Sequence, residues 1–194
     1  MKKLKTTNPF FGLILIAYIF LASCKKKNFR DSLELDCSQE VRFSNLKTTL
    51  EPKGNFKINI PTHWKKEFFI SEKESRLYFA DTTKQLNESY IIDIALHQNK
   101  KILDSEFLNK KLDSIKTTKH LKLINSKKII FQEKPGYLFH TRRNNYGIDK
   151  NTFDIFLQNR DRSYYLIRID MYGDSNQTTR LCEALALIEK GNFY

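Results

Sequence analysis

Apolar and polar positions alternate along this chain with two different periods, and the changes of period mark out its elements. Phe56, Ile58 and Ile60 alternate with Asn55, Lys57 and Asn59, the period of two of a strand, and Pro61 ends the run. Glu67 to Ile70 and Arg76 to Ala80 read as two short strands around a polar turn. In Ser89 to His97, Tyr90, Ile92, Ile94 and Leu96 share one face, while Ile91, Asp93, Ala95 and His97 share the other. That pattern fits a central strand covered on both sides. Asp104 then suits a helix N-cap, with Phe107, Leu108, Leu112 and Ile115 at helical spacing behind it.

Four further strands are predicted, over Lys127 to Gln132, Tyr137 to Arg143, Thr152 to Gln158 and Ser163 to Tyr172. The turns between them are expected at Lys134-Pro135-Gly136, Asn144 to Gly147 and Asn159-Arg160-Asp161. Asp174 or Ser175 would cap a last helix striped by Leu181, Leu185 and Ile188. Short connections favour antiparallel neighbours, and two amphipathic helices must bury their stripes on the sheet. The predicted class is therefore α+β, an antiparallel β-sheet flanked by helices, over residues 54–194. Residues 24–53 are polar and mixed in charge. They read as a tether and entry segment ending at the turn signal Glu51-Pro52-Lys53-Gly54.

The first 23 residues differ from all of this. Lys2, Lys3 and Lys5 precede an uncharged apolar run from Phe10 to Ala22. A bilayer-spanning helix needs about 20 such residues, so this run fits the apolar part of a signal peptide instead. It closes on Leu21-Ala22-Ser23-Cys24, which resembles the bacterial lipobox. The resemblance implies cleavage before Cys24, lipidation of that cysteine and tethering to a membrane lipid in the cell envelope. Lys25 rather than Asp follows the cysteine, which by likeness to proteobacterial sorting implies the outer membrane, facing the periplasm.

Removing the signal segment would leave 31 basic and 22 acidic residues, a net +9. A basic chain can meet nucleic acid, but an envelope compartment argues for an anionic envelope component or an envelope protein as partner, and against nucleic acid. Lys25, Lys26 and Lys27, directly after the anchor, would add about 1 kcal/mol each beside an anionic surface. Two other cysteines remain, Cys37 and Cys182. An oxidising compartment permits a disulfide between them; the alternative is two buried free thiols.

Gly54 to Pro61 followed by Trp64 resembles the opening of PsbP-like and Mog-like domains, where an alternating strand ends in Pro and a Trp follows three residues later. The element order agrees with that group. The resemblance implies an α/β/α sandwich and, since members are mostly binding or assembly factors, a non-enzymatic binding module.

Candidate chemistry is sparse. The four histidines, His63, His97, His120 and His140, show no metal-ligand spacing such as H-E-x-x-H, and no metal is expected. His97 and His140 lie on predicted strands and could converge with a carboxylate; that is the alternative, an envelope hydrolase with an unrecognised site. No catalytic set or phosphate-binding glycine loop is present, so no catalytic residue and no cofactor is assigned. Trp64 either covers one end of the core or lines a binding groove with Phe68 and Phe69. Arg142, Arg143 and Tyr146 form either an ordinary charged turn or a contact to an anionic partner.

Overall fold

The computed structural model describes residues 29–33, 35–37, 41–98, 101–145 and 147–194. Cys24, the expected signal segment and Tyr146 lie outside them. The described residues form ten strands and three α-helices in the order α1, β1 to β5, α2, β6 to β9, α3, β10. Seven strands make an antiparallel sheet in the order β3 (Lys65–Ile70), β4 (Glu74–Ala80), β5 (Tyr90–His97), β9 (Tyr164–Tyr172), β8 (Ile148–Gln158), β7 (Lys134–Asn145) and β6 (Leu121–Phe131). A smaller sheet pairs β1 (Leu46–Leu50), β2 (Phe56–Pro61) and β10 (Asn192–Phe193).

Strand alternation splits the large sheet into two faces. One face carries Leu77, Phe79, Ile92, Ile94, Ile155, Tyr165, Ile167 and Ile169 into a core shared with Phe56, Ile58 and Ile60 of β2. Helix α3 (Gln177–Glu189) closes that core with Leu181, Ala184, Leu185, Leu187 and Ile188. The other face offers Ala95, Tyr137, Phe139, Phe156, Tyr164 and Leu166 to α2 (Ser105–Thr117). The layers are thus α2, the seven-stranded sheet, and α3 together with the small sheet. This is the antiparallel sheet flanked by helices that the sequence predicts.

The Asp104 cap is as expected: its carboxylate accepts from the Phe107 N–H at 2.9 Å. Four features differ from expectation. The fold begins before residue 54, because β1 pairs with β2 from Leu46↔Pro61 onward. The turn before β7 is Gln132-Glu133, both at positive φ, and Pro135 and Gly136 lie within the strand. Gly136 serves close approach instead: a Cβ there would overlap the Phe156 carbonyl oxygen. Strand β6 starts at Leu121, with a register shift between Leu123 and Asn125. Leu121 and Leu123 therefore face α2, while Ile129 and Phe131, at the same sequence parity, face the larger core.

The fourth difference is the start of α3. Neither Asp174 nor Ser175 caps it; the N-cap position is Asn176, left-handed at φ 50°, with no side-chain cap bond. The two expected side chains are engaged elsewhere. Asp174 accepts from Arg142 and Gln177, and the Ser175 hydroxyl donates to the Asn87 carbonyl.

Candidate functional site

Residues 29–33 and 35–37, before β1, form a strap along α3 and the β6 edge of the sheet. Phe29 of α1 (Phe29–Ser32) packs its ring against Phe131 at 4.8 Å. Arg30 pairs with Glu189 at the far end of α3, 2.8 Å apart. Cys37 and Cys182 are joined by a disulfide, so the thiol alternative does not hold. The strap is fastened at both ends, and Leu33 and Leu35 lie between the fastenings.

Beneath those two leucines lies a cavity of about 200 Å³. Its apolar walls are Leu138, Phe153 and Met171 from the sheet and Leu181 from α3. Its polar lining is Asn125, Lys127, His140, Gln177 and Thr178. The register shift in β6 is what turns Asn125 and Lys127 toward this face. His140 stacks on Phe153 with ring centroids 4.0 Å apart, and its Nε2 meets the Asn151 Oδ1 at 3.0 Å. Burial pushes the His140 imidazole below its ordinary pKa, the Asn151 bond opposes this, and the Arg142 charge adds to the lowering. The ring is therefore neutral near pH 7. Asn151 is buried, and its Nδ2 has no hydrogen-bond partner among the described residues. No carboxylate is among the described residues lining the cavity.

His97 is not part of this site. It sits on the α2 face, its ring stacked on Tyr164 at 4.9 Å and its Nδ1 3.6 Å from Glu74. His140 is on the opposite face, so the sheet itself separates the two histidines. The hydrolase constellation of His97, His140 and a shared carboxylate is not assembled.

Around His97 the α2 face instead carries a ladder of charges. Arg168 holds Asp154 through two bonds of 2.6 and 3.1 Å. Lys111 of α2 reaches the same carboxylate at 3.4 Å, and Lys150 pairs with Asp170 at 2.7 Å. Arg76 pairs with Glu74 at 2.6 Å and stands 3.5 Å from the buried Asp93. Opposite charges alternate across four strands. That arrangement offsets much of the cost of burying them, least completely for Asp93.

The residues predicted as a binding surface are divided by the fold. Trp64 is 9% exposed and packs against Phe43, Phe79 and Tyr90, so it closes the core and lines no groove. Phe68 and Phe69 are exposed but point to opposite faces of the edge strand β3, because neighbours in a strand alternate. Arg142 lies between Asp149 and Asp174 at 2.8 and 3.0 Å, its charge already balanced. Arg143 is exposed on the face opposite Arg142.

The layer order has a counterpart among solved structures. The solution structure of cyanobacterial PsbP (CyanoP) from Synechocystis superposes with a TM-score of 0.53, over 80% of this chain and 96% of that one, at 13% identity. The fold is PsbP-like. Two further solved structures superpose less well. A Bacteroides thetaiotaomicron protein matches with a TM-score of 0.49 over 77% of this chain and 49% of its own, at 11% identity. LpqN, involved in cell envelope biogenesis of Mycobacterium tuberculosis, matches at 0.38 over 76% and 89%, with 7% identity. No protein-family model and no curated protein sequence matches the chain.

The cavity residues, His140 apart, were not singled out by the sequence. They come from the strap, β6 to β9 and α3, and no local spacing connects them. Among the described residues, no helix is long and apolar enough to cross a membrane.

Proposed function

We propose that this chain is a non-enzymatic binding module of the bacterial cell envelope. It is tethered through a lipidated Cys24 in the outer membrane facing the periplasm, and it takes a small hydrogen-bonding group in the cavity under the strap. That group belongs to an envelope component or an envelope protein. The observation that carries the reading is the chemistry of the cavity. Amide and hydroxyl groups of Asn125, Gln177 and Thr178 and the neutral ring of His140 stand among its apolar walls. Such a lining, apolar walls with a few converging polar groups, suits a group that is partly apolar and can hydrogen-bond. At about 200 Å³ the space suits a head group or one partner side chain rather than a whole lipid.

The reading is tested on protein purified from its own envelope without denaturation. Native mass spectrometry is expected to show a bound species that is absent from the Leu138→Trp variant, in which the larger side chain fills the cavity. The anchor is tested separately: labelled palmitate should enter the wild-type chain and not Cys24→Ala. An unoccupied cavity, together with unchanged partner recovery by the filled variant, would contradict the assignment of this site.

A further inference from the structure

Strand β3 ends the seven-stranded sheet, and all six of its residues are exposed. Its only partner strand among the described residues is β4. Ser71 N–H donates to the Glu74 carbonyl at the hairpin turn, which fixes the pairing that follows. Phe69, Glu67 and Lys65 are in phase with Ser71 and turn their backbone groups to β4. Lys66, Phe68 and Ile70 consequently turn theirs outward.

The other end of the same sheet provides an internal contrast. Edges left open to other chains are commonly blunted by bulges, lysines or covering elements. Strand β6 has such defences: a register shift at Leu123/Asn125, and Lys122, Lys127 and Lys128 along its length. Its exposed Ile124 and Ile130 are separated from each other. Strand β3 has no register shift and no proline, and its lysines, Lys65 and Lys66, are confined to its first half. Its second half presents three consecutive apolar residues, Phe68, Phe69 and Ile70, exposed by 39%, 56% and 45%.

Charge decides what such an edge accepts. Lys65 and Lys66 stand at one end of β3, and Lys53 donates to the Ser71 carbonyl at the other. The chain without its first 23 residues still carries a net +9, which disfavours a second copy of itself at this edge. From these features we infer that β3 is a docking edge. It adds to its sheet an extended segment of an envelope protein, apolar at its centre and acidic at both ends. Backbone hydrogen bonds to Lys66, Phe68 and Ile70 hold the segment, and its alternate side chains lie against Phe69 on one face and Phe68 and Ile70 on the other. This edge is separate from the cavity and does not depend on it.

The test uses the full chain in detergent and a labelled peptide with valines at its centre and glutamates at both ends. Saturable binding by fluorescence anisotropy is expected, with slowed amide exchange at Lys66, Phe68 and Ile70. Ile70→Pro removes one outward N–H and leaves the pairing with β4 in place. It should weaken binding by about tenfold or more while leaving the unfolding midpoint near that of the wild type. A peptide with lysines in place of the glutamates should bind about tenfold more weakly. No binding, equal binding of the lysine peptide, or binding unaffected by Ile70→Pro with slowed exchange elsewhere would each overturn the proposal. So would sedimentation showing that the wild-type chain dimerises through this edge and Ile70→Pro does not.

Discussion

Cys37 and Cys182 are 145 positions apart in sequence and joined in the fold, with their Cα atoms 5.6 Å apart. The bond ties the strap to the middle of α3 and so holds Leu33 and Leu35 over the cavity. Replacing both cysteines by serine should lower stability by about 2–5 kcal/mol, read from urea unfolding of the two proteins under non-reducing conditions. Amide exchange should quicken first in the strap. Equal stability and unchanged exchange in residues 29–37 would show that the bond fastens nothing.

Asp93 is the one buried carboxylate in the charge ladder whose pKa is pushed up, to about 6 from 3.8; burial is the main cause, and Arg76 and Arg168 oppose it only in part. The folded state therefore holds a proton there that the unfolded state has released. Stability from this group is full below about pH 4, falls as pH rises through the interval to 6, and stays low above it. Asp93→Asn removes the dependence. Its stability relative to the wild type should rise between about pH 4 and pH 7, by an amount on the order of 2 kcal/mol. Chemical denaturation at a series of pH values reads this directly, and a flat difference would contradict it.

Gly136 is a glycine for want of space, since a methyl group there meets the Phe156 carbonyl. Gly136→Ala must push β7 away from β8. The expected loss is about 1–3 kcal/mol, with broadened amide signals along both strands. Gly54 and Gly147 have open space at the same position, so alanine there tests only the positive φ and should do less.

Trp64 is the sole tryptophan. Its place between Phe43, Phe79 and Tyr90 predicts blue-shifted emission that added acrylamide quenches poorly. Trp64→Ala should cost about 3–5 kcal/mol. Easily quenched emission would return this residue to a surface groove.

Much of the sheet was legible because β2, β4 and β5 keep strict alternation between two environments. The helix α2 was legible because Asp104 announces it. Strand β1 was not: Leu46 and Leu50 are the only apolar residues in Leu46–Leu50, and its burial depends on the distant β2. Pro135-Gly136 imitated a turn, whereas the chain reverses at Gln132-Glu133, two residues that only context holds at positive φ. The bulge in β6 exchanges faces without altering the alternation of apolar residues. For Trp64 the sequence allowed both a core and a groove, and packing against three rings decides for the core. The cavity was illegible for a different reason, since its lining is gathered from elements more than a hundred residues apart.

The central claim is that the cavity under the strap is where this domain holds its partner. Its most direct test is a photo-crosslinking residue at Thr178, on the cavity lining, compared with one at Asp113 on exposed α2, both in the native envelope. The account predicts one discrete product from position 178, none shared with position 113, and loss of that product in Leu138→Trp. No specific product from position 178, with the purified chain turning over a compound from a broad substrate panel, would contradict it.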